Sequence, residues 1–169
     1  YRMPHQAPHD PLTEWYSNTI WGKRVEDDNT LFEVMCLQVF QAGLTWKMIL
    51  DKRDGFRAAF ANWDISAVAA MGPEVIEALM HDAGIIRNRL KIQATVKNAR
   101  TIRDLQAKHG RFCTWFYDIL PGSTYPNLRK ELKSTFSFMG PEISRMWLMA
   151  CGRITREEGD KYCPKGMEH

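Results

Sequence analysis

Apolar residues recur at helical spacing along almost the whole chain, and nowhere does a run of about four to eight residues between turn signals alternate apolar with polar. A β-sheet therefore has no material to be built from, and the chain is predicted to be all-α. The punctuation agrees. Thr30, Leu31, Phe32 and Glu33 form a capping-box pattern that opens a helix through Val39 and Phe40, with Gly43 at its stop. Trp46 begins another helix, Asp64 caps a short one through Ala69, and Pro73 suits the first turn of one ending near Met80. Gly84 breaks the chain before a long helix over 86–109, closed by Gly110. Pro121, Gly122 and Pro126 predict a hinge loop over 121–127 between two packed helical subdomains. A basic helix over 128–133, a tight turn over 134–141 and a helix over 142–151 follow, and 153–169 is expected to be a weakly structured tail. The 169 residues suffice for one domain with one sizeable core.

Composition narrows the partners. The net charge is +3, a mild basic bias that permits a phosphate-bearing partner without requiring one. Arg87, Arg89, Lys91, Lys97, Arg100 and Arg103 share the long helix, where they form either a solvated face or a DNA-contacting one. Cys36, Cys113, Cys151 and Cys163 lie far apart with no CxxC pair, which predicts reduced thiols in a cytoplasmic protein, Cys36 and Cys151 being core. No stretch approaches the ~20 apolar residues that span a bilayer, so no membrane association is expected.

Two constellations could carry chemistry. The turn over 134–141 closes on Gly140-Pro141 between two helices, and backbone N–H groups at such a helix start can point at one DNA phosphate, although αα-hairpins are more often packing units. The second is the segment 37–46 with Tyr16 and Trp21 upstream: Leu44 beside Gly43 can wedge into a base stack, and Tyr16, Trp21 and Trp46 can hold an extruded base. The alternative is that these tryptophans are core.

At these residues the chain resembles the 3-methyladenine DNA glycosylase I family. The resemblance lies in the run Gln41-Ala42-Gly43-Leu44-Thr45-Trp46, in Tyr16 and Trp21-Gly22, and in Asp82-Ala83-Gly84-Ile85-Ile86-Arg87 followed by Lys91-Ile92-Gln93-Ala94. It continues in Phe136-x-Phe138-x-Gly140-Pro141 and ends at Ala150-Cys151-Gly152. It implies a helix-hairpin-helix DNA glycosylase architecture with a base pocket between helical subdomains. By position it implies that Tyr16, Trp21 and Trp46 line that pocket, that Leu44 on the Gly43-Leu44 tip fills the gap left by a flipped nucleotide, and that the hairpin from Phe136 to Gly140 binds DNA.

The departures matter as much. Gln38 stands where the family has its pocket glutamate, which keeps hydrogen bonding but removes a charge worth about 1.5–3 kcal/mol in a dry pocket. Glu33, about one turn earlier, is a speculative substitute carboxylate. The family's zinc ligands would fall near Pro4, Ser17, Glu157 and Lys161, which make no soft tetrahedral set, so no metal or other cofactor is expected; His5, His9 and Cys163 read as solvated. Asn18 and Ile20 replace acidic residues, and Thr135 replaces a hairpin glycine. No Lys/Asp pair follows the hairpin helix, which argues against strand cutting. The expectation is a monomeric, monofunctional N-glycosylase that releases alkylated purines such as 3-methyladenine from damaged double-stranded DNA by base flipping. Its rival is a lesion-binding homologue with weakened or no catalysis.

Overall fold

The computed structural model describes residues 16–164, and among these there is no strand. At its centre runs α1 (Asp28–Gln41), in which ten consecutive residues from Leu31 to Phe40 are buried. A helix covered on every side needs no amphipathic stripe, which is why its sequence reads as almost unbroken apolar residues. Its N-cap is Asp27, whose carboxylate accepts from the Thr30 backbone N–H at 2.8 Å and the Thr30 hydroxyl at 2.9 Å. The expected capping box thus begins three residues early, and Glu33 is released for another contact.

Short helices follow: α2 (Trp46–Asp51, capped by Thr45), α3 (Arg53–Ala59) and α4 (Ile65–Ala69, capped by Asp64) lie against α1, whereas α5 (Pro73–Leu79) packs on the long helix after it. The long α6 (Arg89–His109) begins at Asn88, which caps the Lys91 N–H, and ends at Gly110 with φ 85°. Of the basic residues expected here, Arg87, Arg89, Lys97, Arg100 and Arg103 are exposed, as a solvated face requires, and Lys91 is buried. Arg100 donates to the carbonyls of Ala69 and Met71, both at 2.9 Å, Arg103 donates to the Ser66 hydroxyl, and Arg89 pairs with Glu77. These side chains fasten α6 to α4 and α5, Arg100 by serving carbonyls at the end of α4. No helix among the described residues is long and apolar enough to cross a membrane.

The second half of the chain closes the core. α7 (Phe112–Thr114) runs into a π-helical turn (Trp115–Ile119), then come α8 (Tyr125–Thr135), α9 (Pro141–Ala150) and α10 (Arg156–Asp160). Pro126 lies in the first turn of α8, where its missing N–H costs nothing, so the expected hinge loop is shorter than 121–127. The tail expectation is corrected over 153–164. Tyr125 N–H donates to Glu158 at 2.9 Å, the buried Arg145 donates to the Gly159 carbonyl at 3.1 Å, and Gly159 packs on Met149. Residues 165–169 lie outside the described residues. Two distant motifs meet at Gly152, whose φ is 66° and where a Cβ would come within 2.9 Å of the Gly22 carbonyl. Only glycine fits there.

Two buried polar contacts tie the halves together. The Asn98 amide accepts from the Ser137 N–H at 2.8 Å and donates to the Ser137 carbonyl at 3.0 Å, clamping the turn before α9 onto α6. Asp28 accepts from the backbone N–H groups of Phe112 and Cys113, both at 2.9 Å, and from Gln106 at 2.8 Å. Burial alone raises the Asp28 pKa, but the combined hydrogen bonds hold it below the ordinary carboxylate value. Asn98→Ala should lower the unfolding free energy in urea by about 1–2 kcal/mol, because it removes two hydrogen bonds to the half-buried Ser137 backbone. The Asp28 stabilisation is present above the unfolded carboxylate pKa and is lost as pH falls through the lower folded value. Asp28→Asn should therefore be less stable than wild type at neutral pH, with the gap narrowing when both are melted in acid.

Candidate active site

The sequence-predicted residues converge from three elements. Gln38, in the third turn of α1, is 2% exposed and its Nε2 donates to the Tyr16 hydroxyl oxygen at 3.3 Å. Tyr16 begins a π-helical turn (Tyr16–Ile20), and its ring meets Trp46, the first residue of α2, edge-on at 4.7 Å between centroids. Trp21 lies 6.2 Å from Tyr16 and is half-buried. The Tyr16 and Trp46 rings touch each other, so the expected slot for a base between two rings is closed in this conformation. The Trp46 indole N–H is buried and has no hydrogen-bond partner among the described residues, and a donor left unpaired in that way costs about 1–3 kcal/mol.

Beside Gln38 a cavity of about 240 Å³ opens between two facing helix segments. Gln38, Gln41, Ala42 and Gly43 form one wall, and Glu142, Ile143 and Met146 of α9 form the other. It is smaller than the roughly 300–1,000 Å³ of sites for drug-sized ligands, as suits one flat base. The Gly43 turn, with φ 83°, is held by Leu44 N–H on the Gln41 carbonyl at 2.7 Å and by Gln41 Nε2 on the Leu44 carbonyl at 2.8 Å. Leu44 is half-buried against the core rather than a bare tip. The whole wall is anchored from α6: the buried Lys91 ammonium donates to the carbonyls of Phe40 at 3.2 Å and Ala42 at 2.9 Å, and burial lowers its pKa.

At the hairpin the structure corrects one residue. Phe136 is buried, with its ring 6.0 Å from Trp147 and 5.9 Å from Trp115, so its side chain belongs to the core and cannot touch DNA. Phe138 is the exposed one, 40% accessible and at φ 55°, a left-handed conformation that turns the backbone sharply toward Gly140. Gly140 caps α9 and Pro141 opens it.

Glu33 is corrected as well. Its carboxylate pairs with Arg57 at 3.0 Å and lines a separate cleft with Asn29, Asn62 and Trp63, so it is no substitute for a carboxylate at position 38. The expected zinc positions do not fit the metal. Ser17 offers a hydroxyl, Glu157 is exposed, and the Lys161 ammonium is engaged with Glu158 at 3.2 Å. Among the described residues no group of three or more His, Cys, Asp or Glu could hold an ion; Pro4, His5 and His9 lie outside them. Burial pushes Cys113 up to about 12 and raises Cys36 and Cys151 too, which keeps these thiols protonated and unreactive at neutral pH.

Comparison with known proteins gives the family of the chain. The methyladenine glycosylase family matches residues 6–163. The chain belongs to that family. It is similar to DNA-3-methyladenine glycosylase 1 of Escherichia coli K12, with 37% identity over 163 residues covering 86% of this chain and 87% of that protein. A crystal structure of 3-methyladenine DNA glycosylase I superposes with TM-score 0.78 at 35% identity, covering 89% of this chain and 93% of the other. A glutamate-to-glutamine variant of the Staphylococcus aureus enzyme superposes with TM-score 0.78 at 26% identity, covering 99% of this chain and 98% of its own. The all-helical fold read from the sequence is therefore the fold of this glycosylase family.

Sequence reasoning missed Asn98 and Glu142, and it named Lys91 without finding its role on the Phe40 and Ala42 carbonyls. Lys91 and Asn98, with Thr95, form a buried polar stripe at helical spacing on α6, a pattern visible in the sequence once apolar and polar positions are compared turn by turn. If Glu33 stands apart from the site, Glu33→Gln should lower stability by about 1 kcal/mol through the weakened pair with Arg57. The rate of base release from methylated DNA should then stay within about twofold of wild type in single-turnover assays.

Proposed function

We propose that this protein is a monofunctional DNA-3-methyladenine glycosylase of base-excision repair. It would act as a monomer, without a metal, on damaged duplex DNA in the cytoplasm of a bacterial cell. The observation that carries the reading is the Gln38, Tyr16 and Trp46 constellation beside a base-sized cavity in a chain of this family. Methylation at N3 puts a positive charge on adenine. When the bond from the sugar C1′ to N9 breaks, the base takes the bonding pair and leaves neutral, and the positive charge passes to the sugar. Water then adds to C1′ and loses a proton, which completes the hydrolysis. The protein's part is to flip the nucleotide, enclose the base, and stabilise the charge as it moves.

In that role Gln38 hydrogen-bonds the base edge from the cavity wall, the unpartnered Trp46 N–H supplies a second donor, and Tyr16 and Trp21 set the aromatic surroundings. Leu44 rotates out of its half-buried seat to fill the duplex gap. The backbone from Phe138 to Gly140 faces one phosphate, while Phe136 serves only as the core root of the turn.

One observation favours the second reading, a homologue that binds lesions with slow or no cleavage: the group at position 38 is a neutral amide, buried and satisfied by Tyr16. Release of 3-methyladenine from methylated duplex DNA separates the two, measured with wild type and Gln38→Glu. The glycosylase reading expects release by wild type, with Gln38→Glu faster by about ten- to a hundredfold. Release by Gln38→Glu alone would establish the lesion-binding reading, and silence from both would remove 3-methyladenine as substrate.

A further inference from the structure

The cavity beside Gln38 holds one ionised side chain. Among the described residues that line it, Gln38 and Gln41 are amides, Ala42, Gly43, Ile143 and Met146 are apolar, and Glu142 is a carboxylate. We propose that Glu142 supplies the negative charge of the base cavity, so that it favours a positively charged purine and the cationic sugar left as the base departs. This inference rests on the glycosylase reading above and assigns its electrostatic element to α9 instead of α1.

The placement of Glu142 follows from its helix. Pro141 occupies the first turn of α9 and Gly140 caps it, which directs the next side chain across the helix start toward the facing end of α1. The carboxylate is gripped by a fork from Arg145, Nε on Oε2 at 3.0 Å and Nη2 on Oε1 at 2.7 Å. Arg145 is itself fixed: it is 2% exposed, donates to the Gly159 carbonyl at 3.1 Å and lies 3.9 Å from Asp160. Arg145 does not line the cavity, whereas Glu142 does and is one-third accessible. The negative end of the pair therefore faces the cavity and the positive end is turned into the protein.

Coulomb energy falls with distance, so a cation in the cavity interacts more with the near carboxylate than with the guanidinium behind it. A bidentate pair also holds the carboxylate in one orientation before substrate arrives, and charge that needs no reorganisation stabilises a developing cation most effectively. With Gln38 neutral, this carboxylate is the charged group among the described residues that line the cavity.

The test compares binding to two duplexes, one with a protonated pyrrolidine in place of the lesion sugar and one with a neutral tetrahydrofuran of the same shape. Wild type should prefer the pyrrolidine by about ten- to a hundredfold, and Glu142→Gln should reduce that preference to about unity. Glu142→Gln leaves the buried Arg145 with Asp160 at 3.9 Å as its remaining acidic neighbour, so Glu142→Gln/Arg145→Met, which removes both charges, should lose the preference equally, its fold being checked by thermal melting because the Gly159 carbonyl loses a donor. Adding Gln38→Glu to the Glu142→Gln protein should restore it, because a carboxylate on the opposite wall can replace the charge but not a structural role of Glu142. The proposal is overturned if wild type shows no preference, if either Glu142 variant retains it, or if Gln38→Glu fails to restore it. A wild type that binds neither analogue better than undamaged duplex would overturn the glycosylase reading and this inference with it.

Discussion

The structure depends on how the C-terminal end of α1 is finished. A helix leaves its last carbonyls without intrahelical partners, and here Phe40 is buried while Ala42 lies at the surface. Lys91 solves this from α6 by placing its ammonium on the Phe40 and Ala42 carbonyls. A buried ammonium is costly, as its lowered pKa indicates, and the cost is offset because the charge meets the negative end of a helix dipole. That one contact fixes where α1 stops. It thereby fixes the Gly43 turn, the seat of Leu44 and the wall of the cavity that carries Gln38.

The opposite wall is fixed by a different device. α9 starts where the chain emerges from a turn rooted by Phe136 in an aromatic cluster and pinned through Ser137 by the Asn98 amide. Lys91 and Asn98 lie on the same buried face of α6, separated by about two turns. A single straight helix therefore references both cavity walls to each other. Residues from Tyr16 to Gly152 meet around it, and the Gly22 carbonyl against Gly152 closes the ring by docking the Tyr16 turn on the end of α9. The site is assembled from distant parts of the chain, but its spacing is set by one element.

Much of this was legible in the sequence, for identifiable reasons. Helical spacing and the punctuation by Asp64, Pro73, Gly84 and Gly110 placed the helices, because caps and breakers act locally. The convergence of Tyr16, Gln38 and Trp46 was legible through resemblance and not through composition. What escaped were partners chosen by tertiary packing. Glu33 looked like a spare carboxylate because it lies near Gln38 in sequence, yet five residues along a helix put the two on different sides, and Arg57 of α3 claims it. Phe136 looked like a hairpin contact because the motif carries two phenylalanines, and only the backbone conformation separates the buried one from Phe138. The tail read as polar and unpatterned because α10 is held by single contacts to Arg145, Tyr125 and Met149 rather than by an apolar stripe.

Position 38 illustrates what burial asks of a polar group. At 2% exposure a carboxylate would have to be desolvated, at a cost that only close compensation could offset. An amide there is satisfied by a neutral partner, and Gln38 finds one in Tyr16. Glu142 faces the reverse situation: it is one-third accessible and doubly hydrogen-bonded to Arg145, so its charge is inexpensive to maintain. The two walls thus divide the labour. The α1 side carries the neutral amide Gln38, and on the α9 side Glu142 carries a carboxylate held in a rigid fork. An enclosure of that kind can recognise a cation without keeping an unpaired charge in its interior before the cation arrives.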